Sequence, residues 1–145
     1  MEPSLVDHIK EQFHLPGLDP KNYSPLSLAY IGDAVYEIVI RTFVLSDGNM
    51  GVNKYHKKTS GMVKASAQAA AFEKMGPHLT DRERAVYKRG RNAKSATVAK
   101  NAAVIDYRKA TGVEALVGYL YLNGEMDRAV WLIGIGLGLG ENDGT

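Results

Sequence analysis

Cysteine is absent from the 145 residues. That excludes disulfides and thiolate metal sites, and it fits a reducing cytoplasm. Also lacking is any run near the roughly 20 apolar residues that cross a bilayer. The longest candidate, Val130–Leu139, is short and broken by glycines, so no membrane association is expected. Residues 1–30 lack the charged-then-apolar pattern of a secretion leader. Strand-like alternation is missing too. Acids are absent between Asp47 and Glu73 and again between Glu83 and Asp106. The first gap holds Lys54, His56, Lys57, Lys58 and Lys64, and the second Arg84, Lys88, Arg89, Arg91, Lys94 and Lys100. A net charge of +2 says little, but cations segregated in this way suit either two solvated surfaces or a polyanionic partner, nucleic acid above all.

What is present is a helical pattern. With 45% apolar and 23% charged residues the chain is globular in composition, and its length suits one hydrophobic core. A single domain over 1–145 is expected. Leu5, Ile9 and Phe13 mark a short amphipathic helix over Ser4–Phe13. Ser24-Pro25 reads as cap and first position of a helix running to about Leu45, where Asp47-Gly48 ends it. A third stretch, about Val52 to Met75, is interrupted near Ser60-Gly61 and stopped by Gly76-Pro77. Thr80-Asp-Arg-Glu83 is a capping box for a helix ending near Arg89-Gly90. Residues 90–100 show no apolar period and are expected as an exposed loop. A helix over Asn101–Leu122 stops at Asn123-Gly124, Glu125–Ile133 forms a last helix, and the glycine-rich tail frays. The fold expected is all-α.

Two helices carry acids that need a reason. Asp33 and Glu37, four apart, share a helix face among Leu28, Tyr30, Ile31, Val35, Tyr36 and Ile38. A helix apolar nearly all round is a buried one, where an isolated carboxylate costs several kcal/mol. Such acids pair with arginine, reach solvent, or hold a metal. Glu114 repeats the situation in Thr111-Gly-Val-Glu-Ala-Leu-Val-Gly-Tyr-Leu-Tyr-Leu122, and no cation follows until Arg128. The two helices can converge on one divalent cation.

These stretches resemble a known family. Leu28-Ala-Tyr-Ile-Gly-Asp-Ala-Val35 and Thr111-x-x-Glu-Ala-Leu-x-Gly118 are similar, in order and separation, to two motifs of ribonuclease III catalytic domains. The resemblance spans roughly Pro25 to Leu122. Tyr30-Ile-Gly-Asp-Ala34, His56-Lys57-Lys58 and Lys88-Arg-Gly-Arg-Asn-Ala-Lys-Ser95 look like the Mini-ribonuclease III branch, which lacks an appended RNA-binding domain, and residues 123–145 are too few for one. The resemblance implies a homodimeric endoribonuclease that cuts double-stranded RNA with Mg²⁺, or Mn²⁺ in its place. Asp33 and Glu114 are then the catalytic metal ligands. It also implies maturation of precursor 23S ribosomal RNA, assisted by a ribosomal protein. Where the longer family members carry acids, this chain has Leu26, Ala29 and Thr111. Glu37, Thr111 and, two turns before Glu114, Asp106 are the candidates for assisting groups. A degenerate relative that grips RNA without cutting it is the alternative.

The cationic segment completes the expectation. Lys88, Arg89, Arg91, Asn92, Lys94, Ser95 and Lys100, with His56 and Lys57, are the candidate RNA contacts. A-form RNA is recognised largely through shape and backbone, which cations and short donors suit. Gly134-Ile-Gly-Leu-Gly-Leu-Gly140 is no phosphate loop, since it follows a helix and lacks the Lys-Ser/Thr pair. Tyr119, Tyr121 and Trp131 are expected as core or interface aromatics.

Overall fold

The computed structural model describes residues 3–93 and 102–139. Among them no strand forms, and the helices are α1 (Leu5–Phe13), α2 (Pro25–Leu45), α3 (Val52–Val63), α4 (Ala65–Met75), α5 (Asp81–Asn92), α6 (Ala102–Leu122) and α7 (Met126–Gly136). Short 3₁₀ turns, Pro20–Asn22 and Gly76–His78, precede α2 and α5. The expected all-α architecture is present.

Caps follow the sequence chemistry. The Ser24 hydroxyl accepts from the Ser27 amide at 3.1 Å, with Pro25 opening α2. Thr80 and Glu83 satisfy each other's backbone amides at 3.1 and 2.9 Å. Glu83, only 5% exposed, also receives two bonds of 2.9 Å from Arg128 at the start of α7. One carboxylate therefore caps α5 and ties it to α7.

The long helix α6 is the axis of the fold, packed against α2, α5 and α4, while α7 lies on α4. Val113, Ala115, Leu116, Val117 and Leu120 are at most 2% exposed, as an all-round apolar helix must be. Each fully buried side chain of the kind of Ile40, Leu116 or Ile133 contributes about 1.5–3 kcal/mol. Phe72 and Tyr87 stack at 3.8 Å between α4 and α5. Tyr119 and Tyr121 are core residues, whereas Trp131 is half-exposed under the Arg128 guanidinium.

Several expectations are corrected. In α1 the buried residue is Val6, and Leu5 and Phe13 face solvent. The break between α3 and α4 falls at Lys64, whose backbone is extended, rather than at Ser60-Gly61. There the buried Gln68 amide donates to the Val63 carbonyl at 2.8 Å, capping the end of α3. Helix α5 continues through Gly90 to Asn92, because Gly90 is a packing residue: a Cβ there would meet Ala115 Cβ at 2.7 Å. Gly90–Asn92 therefore leave the expected loop, and residues 94–100 lie outside the described ones. Helix α7 keeps Gly134 and Gly136 within it, and only residues 140–145 of the glycine tail lie outside the described residues. Finally, α2 is not buried all round, since Tyr30 is 81% and Ile38 58% exposed.

Candidate active site

Backbone contact between α2 and α6 builds the site. A Cβ on Gly32 would overlap the Glu114 carbonyl oxygen, and one on Gly118 would overlap that of Leu28. The helices cross at these two glycines closer than any side chain permits. Asp33 follows the first, and Glu114 precedes the second by one turn. The crossing brings their carboxyls together from helices that are far apart in sequence, close enough for Asp33 to act on the Glu114 carboxyl.

The two acids differ in environment. Asp33 is exposed, while Glu114 is half-buried beneath it. Burial pushes the Glu114 carboxyl up to about 7; a hydrogen bond from Gln68 opposes the rise, and the charge and hydrogen bond of Asp33 add to it. Gln68 of α4 makes that bond through Nε2, 3.1 Å from Glu114 Oε2. Tyr36 lies below. Its phenol is raised to about 12 by burial and then by the Glu114 charge. The Tyr36 hydroxyl and Gln68 Oε1 are buried without a hydrogen-bond partner.

No third His, Cys, Asp or Glu joins this pair in a metal-holding group among the described residues. Glu37 is bound by Arg41 Nη2 at 2.6 Å on its own helix. Thr111 is buried and donates its hydroxyl to the Tyr107 carbonyl at 3.0 Å. Asp106 sits eight residues before Glu114, about 12 Å along the helix axis. Thr111 and Asp106 are thus not brought to the pair, while Glu37 shares a depression with Asp33 but is held by Arg41. Beside it, Asp33, Ala34, Glu37, Ile38 and Arg41 line a shallow depression of about 360 Å³.

Two carboxylates fit a hard cation such as Mg²⁺, which is commonly held by one or two carboxylates plus waters rather than by an all-protein cage. A raised carboxyl next to a second acid is also the arrangement that a divalent charge would relieve. Leu26, Ala29 and Thr111 add no oxygen anion to the set.

The candidate RNA contacts fall in two places. Lys88, Arg89 and Asn92 are exposed at the end of α5, and Arg91 lies 5.8 Å from the Tyr87 ring with its Nε on Asn92 at 3.2 Å. A Cβ on Gly90 would come within 3.1 Å of the Thr111 carbonyl, so this basic end adjoins the turn before Glu114. His56 and Lys57 are exposed on α3. Lys58 is paired with Asp47 at 3.0 Å. Lys94, Ser95 and Lys100 lie outside the described residues. The sequence reading missed Gln68 and Tyr36. A lone amide within Ala65-Ser-Ala-Gln-Ala-Ala-Ala71 was the available signal, since a polar group among small apolar residues on a packed helix needs a partner.

Comparison with known proteins shows the family. The Ribonuclease III domain family matches residues 26–125. The Mini-ribonuclease 3 of Clostridium tetani is 54% identical over 76% of this chain and 74% of its own. That of Enterococcus faecalis is 49% identical over 79% of this chain and 89% of its own. A crystal structure of a Fusobacterium nucleatum protein superposes with a TM-score of 0.73 at 30% identity, covering 83% of this chain and 96% of that one. The chain belongs to the ribonuclease III family, and within it to the Mini-ribonuclease 3 branch.

Proposed function

We propose that this ribonuclease is a Mg²⁺-dependent endonuclease for double-stranded RNA, with Asp33 and Glu114 as its metal ligands. The observation that carries the reading is the meeting of these two carboxyls at the Gly32–Gly118 crossing. When bound, Mg²⁺ (or Mn²⁺ in its place) supplies a positive charge that acidifies water and offsets charge developing on the phosphate. The protein's part is to hold the carboxylates in register and to bring the duplex to them. Lys88, Arg89 and Arg91, next to the turn before Glu114, neutralise backbone phosphates, and His56 and Lys57 extend the cationic surface along α3. Lys94, Ser95 and Lys100 belong to the same proposed contact segment.

The active form proposed is a homodimer paired through α2. Tyr30, Ile38 and Leu45 leave an apolar face exposed on that helix, and Leu26 extends it. A second copy on this face sets two sites on one duplex, one for each strand. The physiological substrate we infer is precursor 23S ribosomal RNA in the cytoplasm, with a ribosomal protein presenting it. No described helix is long and apolar enough to cross a membrane.

The sparse acid set favours one rival, a module that grips RNA without cutting it. Incubating the protein with a long RNA duplex, with and without Mg²⁺, separates the two. Fragments that appear only with the metal are expected. Duplex binding without metal-dependent cleavage would leave the rival standing.

A further inference from the structure

We propose that Gln68 is a positioning residue that fixes the Glu114 carboxylate for metal binding, an inference that rests on the reading of Asp33 and Glu114 as the metal site. Gln68 is 2% exposed, and its Nε2 donates both to the Val63 carbonyl at 2.8 Å and to Glu114 Oε2 at 3.1 Å. Both partners are acceptors, which sets the orientation of the amide. Turned over, it would press its own oxygen against two others.

The Val63 carbonyl lies at the end of α3, where no further helical turn satisfies it. Gln68 is anchored there and reaches across to α6. The terminal torsion of a glutamate is broad, so an untethered Glu114 would sweep its oxygens through many directions. Tying Oε2 to α4 removes much of that freedom and holds the carboxylate beside Asp33. The side chain keeps a cost in doing so, because Gln68 Oε1 is buried with no partner. An apolar residue of the same size would avoid that cost but would supply no donor.

The test is Mn²⁺ binding to the full chain without RNA, read by electron paramagnetic resonance, for the parent, Gln68→Met, Gln68→Leu and Asp33→Asn. The expectation for folded Gln68→Met is a loss in Mn²⁺ affinity of about tenfold or more, the usual effect of removing a group that orients a ligand. Metal-free binding of an RNA duplex should stay at the parent value, which a merely structural role in the fold would not predict. Parent affinity in folded Gln68→Met or Gln68→Leu would overturn the role of Gln68 alone. Failure of both variants to fold would assign Gln68 to the scaffold and overturn it as well. If Asp33→Asn binds Mn²⁺ like the parent, the metal site itself is misplaced, and this inference falls with it.

Discussion

Gly32 of α2 and Gly118 of α6 meet across a close helix crossing, where a Cβ on Gly32 would lie 2.8 Å from the Gly118 nitrogen and overlap the Glu114 carbonyl. The obstacles are backbone atoms, which cannot rotate aside. Gly32→Ala should therefore cost about 1–3 kcal/mol by overpacking and force the helices apart. Gly134 in α7 is the control, with nothing within 4 Å of an added Cβ. Gly134→Ala should be neutral or stabilising by up to about 1 kcal/mol, since alanine is the better helix former. Urea unfolding of both variants checks the pair.

The Glu114 carboxyl carries a pH signature. Its folded pKa of about 7 lies above the ordinary 4.5, so the folded state holds this proton more tightly than the unfolded one. For such a group the stabilisation is full below pH 4.5 and is lost as pH rises toward 7. Metal-free stability should fall across that window, and Glu114→Gln should flatten the fall. In the other direction, Mn²⁺ affinity should weaken below pH 7, where metal and proton compete for the same oxygens. Denaturant midpoints and Mn²⁺ titrations taken across pH read both trends.

Arg128 holds a buried carboxylate. Burial pulls the Glu83 carboxyl up, but hydrogen bonds from Arg128 and Thr80 outweigh it and leave the group below its ordinary value. Arg128→Ala strips both bonds from Glu83, with the contact to the His78 carbonyl and the cover over Trp131. A loss of about 3 kcal/mol is expected, the cost of an uncompensated buried charge. Thermal denaturation measures it. The folded fraction should retain parental cleavage, because this cluster lies away from Asp33 and Glu114.

The basic end of α5 should act through phosphates. Lys88→Ala and Arg89→Ala should each weaken duplex binding about equally for all sequences and lower the salt slope by roughly one. Filter binding over a salt series reads both quantities. An unchanged slope would return these residues to the role of ordinary cations complementing a helix C-terminus.

Much of this architecture was legible in the residues. Capping chemistry at Ser24-Pro25 and Thr80–Glu83 located two helix starts, because caps depend on neighbours in sequence. The motifs around Asp33 and Glu114 named the acids before their helices were seen to cross. Long-range contacts were not legible. The end of α5 was misplaced because Gly90 serves a partner helix, and a glycine that permits close packing reads locally like one that stops a helix. Gln68 was missed for the same reason: its two acceptors come from the α3 break and from α6. The apolar stripe of α1 misled as well. Leu5 and Phe13 satisfy the helical period, yet the helix docks through Val6.

The proposed function stands on Asp33 and Glu114 as the metal site of a duplex-cutting ribonuclease. Single-turnover cleavage of a long RNA duplex across a Mg²⁺ titration, for the parent, Asp33→Asn and Glu114→Gln, tests it most directly. Metal-dependent cutting by the parent is expected, with rates lower by about a hundredfold or more in each variant, the scale for losing a charge-stabilising group. Duplex affinity without metal should stay unchanged in all three. Parental cleavage rates in either variant, with both still folded, would contradict it.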